Sequence, residues 1–162
     1  MRILAIDPGY ERVGVAVLEK LPKRKEIVVY SECFKTSAKK PLAERILEIG
    51  REVKSVISKY EPKALAIEKL YFETNQKTAM GVAEARGVII YEASAAGLKI
   101  FEYTPLQVKI AVTGYGKSDK RQVMAMLPKL IVLTDKKQQD DELDAVALGI
   151  TCLASEHDLH KE

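Results

Sequence analysis

The sequence predicts one α/β domain with a mixed five-stranded sheet and helices on both faces, and three observations lead to this fold class. Three short runs rich in β-branched and aromatic residues follow one another at the start of the chain, which predicts an antiparallel meander. Further apolar runs then alternate with segments whose apolar residues recur every three or four positions, a pattern typical of crossover helices. The 162 residues suffice for one domain with a full core, which we predict to span residues 1–158, with a C-terminal tail at 159–162.

Turn-forming residues set the limits of the predicted strands. Pro8-Gly9 is a strong turn signal between the first two apolar runs, which therefore form a hairpin. The first run is apolar on both faces, as expected for a central strand that helices cover on either side. The predicted strands are residues 2–6, 13–17, 27–34, 64–67 and 99–103.

Proline, glycine and capping residues set the limits of the predicted helices. Pro41 opens the first helix, because the missing N–H of proline does no harm in a first turn. Gly97 suits the C-terminus of the second helix, and Thr104 caps a third that begins at Pro105. Pro128 is predicted to close the fourth. The predicted helices are residues 41–60, 78–96, 105–113, 117–126 and 140–157. The apolar stripe of the last helix is formed by Leu143, Val146, Ala147, Ile150 and Ala154.

The charge pattern permits a polyanionic partner without requiring one. The net charge is only +3, but Lys and Arg cluster at residues 20–25, 35–40, 117–121 and 129–137. Solvated loops would look the same.

The sequence predicts no contact with a membrane and a cytoplasmic location. No apolar run is long enough to span a bilayer, and the N-terminus enters a strand without the features of a signal peptide. Cys33 and Cys152 belong to no Cys-x-x-Cys or Cys/His pattern and are predicted to be reduced apolar fillers.

Two carboxylates follow directly after apolar strands. Asp7 ends the first strand and Glu68 ends the fourth. An acid at such a position is costly to bury unless something neutralises it. If the two strands are neighbours, the acids repel each other, and a cation would relieve that repulsion. Taken alone, Asp7 beside Pro8-Gly9 could also be a simple turn cap.

The last predicted helix begins with more acids, Asp140, Asp141, Glu142 and Asp144. Asp144 shares a helix face with both Asp140 and Asp141, so the spacing does not choose between them. Acids at a helix start are also favourable on their own. Asp and Glu without Cys or His are oxygen ligands suited to Mg²⁺ or Mn²⁺. Four carboxylates could hold two such ions about 4 Å apart, the geometry that clamps a phosphodiester for in-line attack. His157 and His160 lie in the tail region and are predicted to be bystanders.

Seven motifs follow one another along the chain: Asp7-Pro8-Gly9-Tyr10, Ala66-Ile67-Glu68, Ala85-Arg86-Gly87, Phe101-Glu102-Tyr103-Thr104-Pro105, Val108-Lys109, Val112-Thr113-Gly114-Tyr115-Gly116 and Asp141-Glu142-Leu143-Asp144-Ala145. In order and spacing, this set resembles RuvC, the bacterial Holliday-junction resolvase family of the RNase H-like superfamily. The resemblance implies a homodimeric, Mg²⁺-dependent endonuclease that nicks two strands of a four-way DNA junction symmetrically in recombination and repair. It also implies two Mg²⁺ ions per site, with Mn²⁺ as a substitute, and a branch-migration motor as partner.

The resemblance also implies roles for individual residues. The four metal-binding catalytic acids would be Asp7, Glu68, Asp141 and Asp144, since the family spacing Asp-x-x-Asp-Ala favours Asp141 over Asp140. The residues that contact DNA would be Lys109, Lys120 and Tyr71, the last an aromatic that helps to hold the junction open.

Two positions depart from the family pattern. Glu84 stands where the family commonly has Gln, and the loop at residues 69–74 differs from the usual one. The predicted helix at residues 78–96 is rich in small residues and is the expected dimer interface.

Three other functions stay open: an RNase H-like nuclease acting on RNA, a nucleotide-binding ATPase or sugar-kinase-like domain, and a junction-binding module without catalysis.

Overall fold

The computed structural model describes residues 1–22, 24–70 and 76–156. Strands and helices follow in the predicted order βββαβαβααα. The strands are β1 (Arg2–Asp7), β2 (Arg12–Glu19), β3 (Ile27–Lys35), β4 (Ala64–Glu68) and β5 (Lys99–Tyr103). The helices are α1 (Leu42–Tyr60), α2 (Gln76–Ala95), α3 (Pro105–Thr113), α4 (Lys120–Leu130) and α5 (Asp140–Ser155). The predicted domain limit at 158 lies outside the described residues and stays a prediction.

The five strands form one mixed sheet in the order β3-β2-β1-β4-β5, which confirms the predicted fold class. The first three strands pair antiparallel, whereas β1 pairs parallel with β4, and β4 with β5. β1 is therefore the central strand, and its residues Ile3, Leu4, Ala5 and Ile6 are fully buried. This burial on both faces explains why the run is apolar without alternation.

Two hydrophobic cores lie on opposite faces of the sheet because successive strand residues point to opposite sides. Leu4 and Ile6 face one core, which α1 and α2 complete with residues such as Ile49 and Ile89. Ile3 and Ala5 face the other core, which α3, α4 and α5 cover. The α5 segment from 145 to 153 is buried on all sides.

The caps confirm both predicted limits of α3. The Thr104 hydroxyl accepts a hydrogen bond from the backbone N–H of Gln107 at 3.1 Å and begins α3. Gly114 ends α3 with φ 75°, and Gly97 follows α2 with φ 78°, conformations that suit glycine. Pro41 is the N-cap just outside α1 rather than its first residue.

The prediction that Pro128 closes its helix is wrong. Pro128 lies inside α4, which continues to Leu130. Leu127 and Ile131 on either side are fully buried, and the Ile131 N–H bonds to the Leu127 carbonyl at 2.9 Å. Packing of this last turn against the core therefore outweighs the hydrogen bond that proline removes. The start of α4 also moves, from 117 to Lys120, because Asp119 forms the cap.

One predicted member of the α5 stripe is wrong. Ala154 is exposed, because the buried part of α5 ends at Leu153. Cys33 and Cys152 are free and buried, as predicted. Within the described ranges, none of the helices combines the length and apolar character that crossing a bilayer requires.

Gly14 allows α5 to approach β2 closely. A Cβ at this position would overlap the backbone carbonyl of Asp141 in the first turn of α5. The absence of a side chain at 14 thus seats the acidic start of this helix directly on the sheet.

Candidate active site at the ends of β1 and β4

Asp7 and Glu68 emerge side by side from neighbouring strands. β1 and β4 run parallel with Ile6 opposite Ile67, so the next residue of each strand reaches the same edge of the sheet. The carboxyl ends of adjacent parallel strands are a common location for ligand sites. The juxtaposition predicted from the two apolar runs is therefore present.

The two acids open into a pocket of about 280 Å³. Asp144 from α5, Lys109 from α3 and Lys120 from α4 line the same pocket. Its apolar wall is formed by Pro105, Val108, Val123, Met124, Ala147 and Leu148. Three of the four predicted acids and both predicted lysines thus meet in one place, although they come from five different elements.

The acids in the pocket destabilise each other's charged form. Burial, followed by repulsion from Glu68, Asp144 and Asp141, raises the pKa of Asp7 to about 7. Burial, followed by repulsion from Asp144, also raises the pKa of Glu68. The three acids that line the pocket also outnumber its two lysines.

Lys120 offsets part of this negative charge by pairing with Asp144. Its Nζ lies 2.9 Å from Asp144 Oδ2 and 3.6 Å from Asp140 Oδ2. The hydrogen bond to Asp144 is the main reason that the pKa of Lys120 is raised. Asp140 is exposed and does not line the pocket.

Asp141 is turned away from the pocket towards the start of β2. The Arg12 guanidinium binds its Oδ2 through two nitrogens, with Nε at 3.1 Å. The same guanidinium donates to Gln139 Oε1 at 3.3 Å, and Cys33 Sγ lies 3.6 Å from Oδ2. The hydrogen bond from Arg12 lowers the pKa of Asp141. Arg12 was missed by the sequence analysis.

Three networks that the sequence analysis also missed fix the backbone around the acids. The first involves Arg86 of α2, whose Nε donates to the Glu68 carbonyl at 3.0 Å while its guanidinium pairs with Glu102. This arrangement ties the end of β4 to both α2 and β5. Arg86 belongs to a motif quoted above, but only the fold shows which carbonyl it reaches.

The second network holds the turn after Asp7. Arg45, which is 6% exposed, donates to Thr36 Oγ1 at 2.9 Å and to the Tyr10 carbonyl at 3.1 Å. Its guanidinium lies 4.5 Å from the centre of the Tyr10 ring. The Tyr10 ring also packs on Gly81 of α2.

The third network anchors the first turn of α5. Glu142 is 2% exposed and accepts hydrogen bonds from Ser31 Oγ at 2.7 Å and Lys136 Nζ at 3.0 Å. Burial alone would raise the pKa of Glu142, but these hydrogen bonds outweigh it and lower the pKa. A charged residue with both partners in place can remain buried.

The donor set suits a hard divalent cation, although the ligands are not yet gathered around one point. Within residues 1–22, 24–70 and 76–156, no three Asp, Glu, His or Cys side chains converge as ligands of a single ion would. Basic side chains engage two of the acids, Lys120 with Asp144 and Arg12 with Asp141. Burial, followed by repulsion from neighbouring acids, raises the pKa of Asp7 and Glu68, and a bound cation would stabilise both carboxylates.

Some predicted residues cannot be placed. Tyr71, predicted to contact DNA, and the adjacent Phe72 lie outside the described residues, as do His157 and His160.

Comparison with known proteins identifies the family. The family model "Crossover junction endodeoxyribonuclease RuvC" matches residues 3–152. The chain belongs to the RuvC family. It is 42% identical over 150 residues to RuvC of Desulfitobacterium hafniense, covering 93% of this chain and 90% of the relative. It is 41% identical over 162 residues to RuvC of Halothermothrix orenii, covering 100% of this chain and 97% of the relative.

Solved structures of the family share the fold. Thermus thermophilus RuvC in complex with a Holliday junction substrate has a TM-score of 0.88 and 30% sequence identity, covering 95% of this chain and 93% of that chain. A yeast mitochondrial Holliday junction resolvase has a TM-score of 0.67 at 12% identity, covering 92% of this chain and 75% of that chain, and shows the fold alone. The predicted RuvC resemblance and RNase H-like fold are therefore confirmed.

The raised pKa of Asp7 predicts how Asp7→Asn changes stability with pH. Between the ordinary value of 3.8 and about 7, the folded protein keeps a proton that the unfolded chain has lost. This stabilising contribution is complete below pH 4 and is lost as the pH rises through 7. Urea unfolding without divalent ions should show Asp7→Asn to be more stable than wild type by roughly 2–4 kcal/mol at pH 8, with no gain at pH 4.

Asp135→Asn is the matched control, because Asp135 is exposed and does not line the pocket. It should leave stability unchanged at both pH values. Equal effects of Asp7→Asn at pH 4 and pH 8 would contradict the repulsion that we assign to the pocket.

Proposed function

We propose that this protein is a structure-selective endonuclease that resolves four-way DNA junctions by symmetric hydrolysis of phosphodiester bonds in recombination and repair. The observation that carries this proposal is the pocket that joins Asp7, Glu68 and Asp144 with two lysines in a chain of the RuvC family. Relatives about 40% identical over nearly the whole chain are crossover junction endodeoxyribonucleases by name. This support favours the junction enzyme over an RNA nuclease, an ATPase-like domain or a binding module without catalysis.

The proposed site depends on divalent metal ions, with two Mg²⁺ per site and Mn²⁺ as a substitute. Asp7 and Glu68 would be ligands directly, Asp144 after it parts from Lys120, and Asp141 after it parts from Arg12. Divalent ions held by these acids would activate a water molecule for attack and stabilise the charge on the leaving 3′-oxygen. The all-oxygen donor set supports this choice of metal.

The remaining pocket residues position the substrate. Lys109 is half-buried and lines the same pocket as the acids, where it would hold a phosphate next to the reacting one. Lys120 would release Asp144 and bind a phosphate instead. The buried part of the apolar wall, Val123, Ala147 and Leu148, limits the water around the acids, which strengthens these charge interactions. Tyr71 remains our proposed stacking residue.

The active form would be a homodimer that uses the outer face of α2. Met80 and Tyr91 are 72% and 68% exposed, although both are large and apolar. Together with the exposed Glu84 and Gly87, they recur at helical spacing and so form one stripe. A two-fold symmetric junction needs two sites related by the same axis, which an isologous interface provides. We further propose that the enzyme acts in the cytoplasm with a branch-migration motor.

Asp7→Asn should abolish cleavage of a synthetic four-way junction in Mg²⁺ while leaving junction binding within about twofold of wild type. The substitution removes one charge from the pocket but leaves both lysines. Cleavage is measured on a labelled junction, a linear duplex and a structured RNA, and binding by gel shift. Asp135→Asn should cleave like wild type. Cleavage of the RNA in preference to the junction, or loss of junction binding in Asp7→Asn, would contradict the assignment.

Lys109→Ala should weaken junction binding and lower the slope of log affinity against log salt by about one unit. One lost phosphate contact releases about one counterion fewer. The control is Lys99→Ala, an exposed lysine at the opposite end of the sheet, which should keep the wild-type slope. An unchanged slope in Lys109→Ala would mean that Lys109 contacts no phosphate.

Tyr91→Arg should convert the dimer into a monomer in sedimentation experiments at micromolar concentration. Two guanidinium groups facing each other across a two-fold axis would be unpaired and partly desolvated. Leu47→Arg on α1 is the control, because Leu47 is 52% exposed and lies outside the α2 stripe. A Tyr91→Arg protein that sediments as wild type would exclude this face as the interface.

A further inference from the structure

We propose that Arg12 is an internal counter-ion that holds Asp141 away from the pocket in the metal-free protein and is displaced when a divalent cation binds. The inference rests on the proposed function, because it concerns a ligand of the proposed metal site. It assigns a positioning role to a residue outside the four acids.

The guanidinium of Arg12 is held in place by two side chains. Two guanidinium nitrogens engage one carboxylate oxygen of Asp141, and the Gln139 side chain accepts from the same group at 3.3 Å. Arg12 and Gly14 are two residues apart on β2 and therefore point to the same face of the sheet, the one that α5 covers. A fork with two partners is held in orientation better than a single exposed ion pair.

Helix electrostatics do not explain a cation at this location. Asp141 lies in the first turn of α5, where the unpaired N–H groups favour negative charge. A guanidinium there gains nothing from the helix and is held by the carboxylate of Asp141. The guanidinium thus places a positive charge directly on the Asp141 carboxylate.

The backbone of Asp141 has little room to move, so its side chain must supply the change. The Asp141 carbonyl packs against Gly14 so closely that even a methyl group at 14 would overlap it. The adjacent Glu142 is fixed by Ser31 and Lys136. Rotation of the Asp141 side chain away from Arg12 is therefore the simplest way to bring this fourth acid to the pocket.

The test measures Mn²⁺ binding to the full-length protein by calorimetry without DNA. Arg12→Gln should bind Mn²⁺ about fivefold more tightly than wild type, because the ion no longer competes with a partly exposed ion pair. Mn²⁺ should also raise the melting temperature of Arg12→Gln by more than it raises that of wild type. Arg12→Lys, which keeps the charge without the fork, should fall between the two.

Two controls distinguish the loss of this contact from the general effect of removing one positive charge on Mn²⁺ affinity. Arg121→Gln removes the same charge from an exposed position beside Lys120 and should change Mn²⁺ affinity by less than twofold. In an Asp141→Asn background, Arg12→Gln should no longer tighten binding. Wild-type affinity in Arg12→Gln, or tightening that persists without the Asp141 carboxylate, would overturn the proposal.

The Asp7→Asn variant distinguishes an error in the role of Arg12 from an error in the proposed function. If Asp7→Asn loses Mn²⁺ binding while Arg12→Gln behaves as wild type, the metal site stands and only the role of Arg12 is wrong. If Asp7→Asn binds Mn²⁺ as wild type does, the metal site itself is misplaced, and the role of Arg12 falls with it.

Discussion

The parallel pairing of β1 with β4 forces two carboxylates together, and the rest of the site responds to that constraint. Ile6 lies opposite Ile67, so Asp7 and Glu68 leave the sheet at the same point. Both strands are buried on both faces, so neither acid can withdraw without disturbing the core. The cost is visible in the pKa of Asp7, which rises to about 7. A site with this excess of negative charge is prepared for cations.

Two basic side chains of the protein neutralise part of this negative charge. Lys120 is placed by the capped start of α4 and pairs with Asp144, while Arg12 is placed by β2 and pairs with Asp141. Both acids come from the first turns of α5, which Gly14 admits to the surface of the sheet. The packing of α5 that completes one core thus brings two of the four acids to the edge of the sheet. Stability and function share these residues, so substitutions here should affect both.

Local sequence patterns predicted much of this arrangement. The apolar runs that end in Asp7 and Glu68, and the helix cap at Thr104, depend on residues adjacent in the chain, and the structure confirms each. Pro128 was misplaced because buried neighbours from another part of the fold hold its helix turn together. Helix spacing could not choose between Asp140 and Asp141. The contacts of Arg12, Arg45 and Arg86 join residues far apart in sequence, so no local pattern could reveal their partners.

The central claim is that acids from two strand ends and one helix form a single metal-binding pocket. Crystals of the protein grown with Mn²⁺ and measured at the manganese absorption edge would test it most directly. The account predicts an anomalous peak within about 2.0–2.3 Å of carboxylate oxygens of both Asp7 and Glu68, the range of oxygen–metal bonds for hard divalent ions. Manganese bound elsewhere, with no peak between these two side chains at saturating Mn²⁺, would contradict it.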